Sequence, residues 1–188
     1  MAVPALGKGH TEVHDRLAAL LILPLVALLG VIVAVFFVFF RTAYVDGDSM
    51  YPTLDAQDRV LVTRTYTQPR RGDIVVVVIR TDQGPLTIVK RVVGLPGDRV
   101  QTRGDKATVN GRPENYPFPL TLAISDEQQP VVDTTVPAGT VFVLGDNRAV
   151  SEDSRFVGPV RLDDVIGKAV AVYSPVTRMR RIRYDTSK

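Results

Sequence analysis

Leu86-Thr87-Ile88-Val89-Lys90-Arg91-Val92-Val93-Gly94, followed at once by Leu95-Pro96-Gly97-Asp98, reads as a strand closed by a turn. β-Branched residues crowd the run, and a Pro-Gly pair punctuates it. Period-two alternation puts Lys90 on the face of Ile88 and Val92, and Arg91 on the opposite face with Val89 and Val93. The same texture recurs on both sides, in Val60-Leu61-Val62-Thr63, residues 74–79, Val131-Val132, Val141-Phe142-Val143-Leu144 and residues 165–173. Turn clusters separate these runs: Gln68-Pro69-Arg70-Arg71-Gly72-Asp73, Asn110-Gly111-Arg112-Pro113 and Pro137-Ala138-Gly139. Past Arg41 no long stretch carries a 3.6-residue apolar period, and no internal repeat is evident. The expected fold is therefore mainly β, a single antiparallel β-rich domain. Asn110-Gly111 is the expected tip of a hairpin. Residues 113–130 are the least regular part. Tyr116-Pro117-Phe118-Pro119-Leu120 cannot be a central strand, so this segment is either a loop packed on the core or an exposed apolar patch that meets membrane or ligand.

The N-terminal side has a different character. From Leu17 to Phe40 there is no charged side chain and no Asn, Gln, Ser or Thr, and only Pro24 and Gly30 weaken a helix. At 1.5 Å per residue such a helix is ~36 Å long, enough to cross a hydrocarbon core with some tilt. A cleaved signal peptide would have a shorter apolar region and a small-x-small site. Here the run ends in Val35-Phe36-Phe37-Val38-Phe39-Phe40-Arg41 and offers no such site. A buried core helix would not be apolar on every face for this length. The expected organisation is a short cytoplasmic N-terminus over residues 1–16, a transmembrane helix over 17–40, a β-rich domain over 41–177 and a basic tail over 178–188. Lys8 and Arg16 before the span, against Arg41 and Arg59 after it, only barely favour an inside N-terminus.

Charge and residue counts exclude several function classes. The net charge of +3 is concentrated partly in Arg178-Met179-Arg180-Arg181-Ile182-Arg183. On an anchored protein this tail fits anionic lipid at least as well as nucleic acid, and no helix-turn-helix, zinc-finger or RNP-like pattern accompanies it. Nucleic-acid binding is not expected. There are no cysteines, hence no disulfide and no thiol chemistry. His10 and His14 stand four apart, but the glutamate lies at Glu12, which breaks the His-Glu-x-x-His metal pattern. No metal and no cofactor are expected.

A serine stands out in Gly47-Asp48-Ser49-Met50-Tyr51-Pro52-Thr53-Leu54. Gly47 permits backbone angles other residues avoid and Pro52 fixes its own φ, so such a loop can hold the Ser49 hydroxyl in one orientation, although the same residues also make ordinary turns. Serine needs a base to become a nucleophile. With no histidine after His14, a Ser-His-Asp triad in this domain is excluded and a Ser-Lys pair remains. Lys90, with apolar neighbours, is the best-placed lysine, because burial disfavours its charged form; alternatively it is a snorkelling surface lysine. Lys106 sits in what reads as a solvated turn, and Lys168 follows Gly167 near the end of the domain. The polar run Gly145-Asp146-Asn147-Arg148-Ala149-Val150-Ser151-Glu152-Asp153-Ser154-Arg155 could supply a hydroxyl to orient the lysine and an Asp-Arg pair to brace a site.

Four blocks in order, Gly47 to Leu54, Arg71-Gly72-Asp73-Ile74-Val75, Lys90 to Asp98 and Gly145 to Arg155, resemble those of the bacterial type I signal peptidases, or leader peptidases, in their compact single-anchor form. The resemblance runs from the anchor to about Tyr173. It implies a membrane-bound serine endopeptidase that removes signal peptides from exported preproteins after small residues, at Ala-x-Ala type sites, through a Ser-Lys dyad and an acyl-enzyme. Ser49 matches the nucleophile and Lys90 the general base, with the Ser49 backbone N–H in the oxyanion hole. Ser151 matches the serine that hydrogen-bonds the lysine, and Asp153 and Arg155 match the bracing pair. Val45, Met50, Leu54, Ile88 and Val89 match positions lining the substrate pockets. The implied partners are exported preproteins and membrane lipid, close to the secretion translocon. The implied location is the cytoplasmic membrane, single-pass, N-terminus inside and catalytic domain on the extracytoplasmic face.

Two departures stand out. Gly47 occupies a position where some members carry a serine as side-chain oxyanion donor, so a hole here must use backbone groups. Ala149-Val150 replaces residues that are commonly polar. Other readings are a self-cleaving repressor, which would carry a DNA-binding domain in place of the anchor, a conjugation-associated peptidase with a dedicated substrate, and an anchored module that only binds peptide or lipid.

Overall fold

The computed structural model describes residues 8–81, 84–114 and 129–182. It divides into two units, residues 1–39 and 40–188. The first holds helix α1, Lys8–Phe39, interrupted by no break at Pro24. Its stretch Leu20–Phe39 is fully exposed and is long and apolar enough to cross a membrane. At ~1.5 Å per residue these 20 residues span about 30 Å. Side chains apolar on all faces have nothing to gain from water, so a helix of this kind is stable only in an apolar surrounding.

The second unit is built of antiparallel strands, as the alternation predicts. In chain order they are β1 Phe40–Tyr44, β2 Arg59–Thr63, β3 Ile74–Thr81, β4 Gly84–Gly94, β5 Arg99–Arg103, β6 Lys106–Val109, β7 Arg112–Pro113, β8 Val132–Thr135, β9 Thr140–Leu144, β10 Val160–Arg161, β11 Val165–Ser174 and β12 Arg180–Arg181. A short helix α2, Ser154–Val157, precedes β10. The larger sheet runs β1-β2-β11-β3-β4-β9-β10, with β12 added to β11, and a smaller one runs β7-β6-β5-β8. The hairpin tip at Asn110-Gly111 forms as expected, both residues taking the positive φ that a tight two-residue turn requires.

The stretch Leu86–Gly94 is the core of β4, and it is central. It pairs with β3 along its length, Lys90 opposite Val75 and Ile88 opposite Val77. On its other side β9 covers only Arg91 to Gly94. The N-terminal half of β4, through Lys90, thus presents an open edge among the described residues. Two buried clusters flank this strand. Val75, Val77, Val92, Val141 and Val143 fill one, with Ile88 against it; Val45, Met50, Leu54, Val60, Ile74, Val76 and Val89 fill the other. Lys90 shares the face of Val75, Ile88 and Val92, as alternation requires.

Some details were not visible beforehand. Phe40 begins β1 instead of ending the helix. Strands β1, β5 and β7 fell where no apolar run announces them. Lys106 opens β6, the turn being confined to Gly104-Asp105. Arg178 to Ile182 belong with the β unit: β12 pairs with β11 and Ile182 is buried in the core. The tail therefore does not begin at Arg178. Tyr116 to Leu120 lie outside the described residues.

Candidate active site

Two elements meet at the centre of the β unit. One is the loop from Val45 to Asp58 that carries Ser49. Its ends are tied together by Val45 N–H to Asp58 O and Gln57 N–H to Val45 O, both 2.9 Å. Met50 and Leu54, at 0% exposure, pin it to the core. Burying two such side chains contributes roughly 1.5–3 kcal/mol each, against about 0.5–1.5 kcal/mol net for a loop hydrogen bond. Core burial therefore outweighs each of the loop's own hydrogen bonds in placing Ser49. The Ser49 N–H donates to no described residue, while its C=O accepts from Asn147 N–H at 3.0 Å.

The other element is β4. Lys90 Nζ donates to Ser49 Oγ at 2.7 Å, and Lys90 is only 3% exposed. Burial pushes its pKa down to about 8, against the opposing pull of Asp153, Asp146 and Glu152, which favour the charged form. A neutral amine at this distance can accept the hydroxyl proton, and an ammonium can return one. Arg91, on the opposite face, forks onto Asp146 through Nε and Nη2, both at 2.7 Å, and reaches Gly72 O and Thr53 Oγ1. This couples the strand that bears the lysine to both the serine loop and the 145–155 loop.

The 145–155 loop is held by paired charges. Asp153 and Arg155 form a buried ion pair at 2.9 Å. Asp153 also accepts from Gly145 N–H, and Arg155 donates to the carbonyls of Arg148 and Ser151 and to Gln129. Arg148 donates to Gly145 O and pairs with Glu114 at 3.1 Å, whose carboxyl burial raises to a pKa of about 7 despite Arg148.

Not every expected contact forms. Ser151 is buried beside Gly145, but its Oγ has no hydrogen-bond partner among the described residues, so the expected bond to Lys90 is not made. The amine is instead directed at Ser49. The five pocket positions do not form one lining. Val45, Met50, Leu54 and Val89 are buried in one cluster, whereas half-buried Ile88 packs against another. Met50 and Leu54 have no surface to offer and act as a floor. Lys168, set aside in the sequence, is paired with Asp73 at 2.5 Å. It borders a cavity of about 260 Å³ with Tyr66 and Arg70, none of which belongs to the Ser49–Lys90 pair. No cluster of metal-ligating side chains occurs among the described residues.

Arg91, Asp146, Thr53 and Glu114 were not singled out from the sequence. Arg91 and Asp146 stand beside residues that were, which is a weak signal; nothing in the pattern marks Thr53 or Glu114, because hydrogen bonds and ion pairs across 34 to 55 residues leave no local trace.

Gly145 admits a direct test of this packing. A Cβ there would lie 2.1 Å from Ser151 Oγ, 2.5 Å from Ser151 Cβ and 2.6 Å from Ser49 O. Rotating Ser151 relieves only the first contact. Gly145→Ala is expected to cost roughly 1–3 kcal/mol of stability and to lower kcat about a hundredfold by displacing Ser49. Unchanged kcat would mean the loop yields freely.

Comparison with known proteins identifies the family. Residues 17–174 match the family described as signal peptidase, peptidase S26. A signal peptidase I of Leptolyngbya laminosa is 39% identical over 148 residues, covering 72% of this chain and 70% of that protein. Signal peptidase I U of Bacillus subtilis (strain 168) is 30% identical over 177 residues, covering 89% and 94%. A solved signal peptidase I from Enterococcus faecalis aligns with a TM-score of 0.46 at 29% identity, over 55% of this chain and 98% of that one. The chain belongs to the signal peptidase family, peptidase S26, as a serine endopeptidase of the signal peptidase I type.

Proposed function

We propose that this protein cleaves N-terminal signal peptides from exported preproteins, with Ser49 as nucleophile and Lys90 as general base. The observation that carries the reading is the buried amine of Lys90, 2.7 Å from the Ser49 hydroxyl. Neutral Lys90 takes the proton as Ser49 Oγ attacks the scissile carbonyl, and the resulting ammonium gives that proton to the leaving amine. The acyl-enzyme is then opened by water, with Lys90 again as base. The Ser49 N–H, which has no described partner, is the first donor to the oxyanion. The Asp153–Arg155 pair keeps the 145–155 loop in place beside the lysine.

The substrate adds as an extended strand to the open edge of β4, between Gly84 and Lys90, where backbone groups face no β9 partner. Its side chains alternate toward Ile88 and toward the Val45–Val89 cluster. Space there is already taken by core side chains, with Met50 and Leu54 as the floor, so shallow pockets select small residues such as those of an Ala-x-Ala site. Helix α1 anchors the enzyme in the cytoplasmic membrane, N-terminus inside, with the β unit on the extracytoplasmic face against lipid and near the translocon.

The test is cleavage of a preprotein with an Ala-x-Ala site by the full-length protein in detergent, with the new N-terminus sequenced. Cleavage after the second alanine is expected, and replacing that alanine by leucine should reduce the rate by about ten- to a hundredfold. A bulky residue adding methylenes to a filled pocket costs ~1–3 kcal/mol or more. Equal cutting of both substrates would sink the specificity reading, and equal cutting by Ser49→Ala would sink the nucleophile.

A further inference from the structure

The family match ends at residue 174, but the β unit continues past it. A one-turn 3-10 helix, Val176–Arg178, and then β12 bring the chain back to the loop that bears Ser49. Arg178 Nη1 lies 2.5 Å from Asp55 Oδ2. Its Nε and Nη2 donate to the two carboxylate oxygens of Asp58 at 3.0 and 3.2 Å. Arg180 Nη2 donates to Thr53 O. Ile182 enters the core cluster that holds Met50 and Leu54, and its N–H bonds to Val170 O. The tail thus grips the serine loop at its middle and at its closing turn.

Two of those grips matter most. Asp58 is 0% exposed, and its carboxylate otherwise accepts only from Asp55 N–H among the described residues. Without Arg178 a buried carboxylate would lose its counter-charge, and the turn that closes the loop would open to water. Thr53 is held from both sides: Arg180 takes its carbonyl, and Arg91, the residue after Lys90, takes its hydroxyl at 3.3 Å. Thr53 therefore joins the tail to the lysine strand through the serine loop.

We propose that Arg178 and Arg180 form a latch that sets the distance between Ser49 and Lys90, making residues 176–182 a positioning element for cleavage. The proposal rests on the Ser49–Lys90 reading. It assigns Arg178 and Arg180 to contacts with the loop; Arg181, on the same strand and exposed like Arg180, makes no contact with the loop among the described residues and serves as the internal control.

The experiment uses the full-length protein in a neutral detergent and a preprotein substrate. Arg178→Ala is expected to lower kcat about tenfold, as a small misplacement of reacting groups does, with KM within about twofold. The acid limb of kcat/KM should also move to higher pH, because a loosened loop lets water reach Lys90 and its pKa returns toward ~10.4. Arg178→Lys, which can reach one carboxylate, should recover part of kcat, and Arg180→Ala should lose about threefold by the same argument. Arg181→Ala should match the parent.

A merely structural role would reduce melting temperature and yield while leaving the pH limb in place, and that result overturns the latch. So does an Arg181→Ala loss as large as that of Arg178→Ala, which would point to charge against a lipid headgroup. If Arg178→Ala does not fold, Arg178→Lys and Arg180→Ala decide by the same two readouts. Ser49→Ala, run alongside, separates the layers. Residual cutting by it removes the dyad beneath the proposal, whereas an inert Ser49→Ala with unimpaired latch variants removes the latch alone.

Discussion

Lys90→Ala and Ser49→Ala are each expected to lower kcat/KM by at least about a thousandfold, and the parent enzyme is expected to gain activity as pH rises through about 8. Both results come from one arrangement. The amine sits 2.7 Å from the hydroxyl and is 3% exposed, and burial holds its pKa near 8. At pH 7 about a tenth of such an amine is neutral, compared with less than a thousandth of a lysine with an ordinary pKa of ~10.4. kcat/KM should therefore climb about tenfold per pH unit below 8 and flatten above it. The sign for stability is the same. A lysine whose pKa is lower folded than unfolded binds fewer protons in the folded state between about 8 and ~10.4. The cost of burying its charge is thus fully present below pH 8 and relieved as pH rises toward 10.4. Rate measurements from pH 6 to 10 on the parent, with Lys90→Ala for comparison, check both. A limb near pH 6, or a Lys90→Ala variant within tenfold of the parent, would falsify the assignment of Lys90.

The largest loss of stability is expected for Arg155→Met. Asp153 is 0% exposed and takes both of its side-chain ion-pair contacts from Arg155. Methionine preserves much of the volume but leaves that carboxylate buried with only backbone donors, Gly145 N–H and residue 155's own N–H. Breaking a buried pair from one side costs roughly 3–5 kcal/mol. For a unit of this size each kcal/mol shifts Tm by about 2–4 °C, so a fall on the order of 10 °C is expected. Arg155→Lys should not rescue it fully, because one ammonium cannot also reach Gln129 and the carbonyls of Arg148 and Ser151. Thermal unfolding settles the matter. A Tm within 2 °C of the parent would mean that solvent or a rearranged loop compensates Asp153.

The proposed catalytic pair and the proposed bracing pair thus differ in physical kind. Lys90 is buried with a hydroxyl as its close partner, which leaves its proton mobile. Arg155 is buried with a carboxylate and two carbonyls, which fixes the shape of its loop. The same low-dielectric interior that loosens the Lys90 proton strengthens the hydrogen bonds of the Asp153–Arg155 pair.

Local chemistry is what the sequence alone determined. Period-two runs of Val and Ile fixed the β class and the central strand, because side chains on a pleated strand must alternate between faces. The 24-residue uncharged run from Leu17 to Phe40 fixed the apolar helix, because length and solvation energy are properties of a segment by itself. The lack of any histidine beyond His14 left a lysine as the candidate base for Ser49. Only the tertiary structure decided what depends on distant partners. It brought Ser49 and Lys90 within hydrogen-bond distance across 41 residues, left Ser151 Oγ without a partner among the described residues, and separated Ile88 from Met50 and Leu54. It also turned a basic tail back onto Asp55 and Asp58 across 120 residues or more. Such contacts are set by how sheets twist and loops close, and an ion pair at long separation demands no particular residue nearby in the chain. For that reason the charges look alike in sequence, and only packing tells which of them brace the site and which face water.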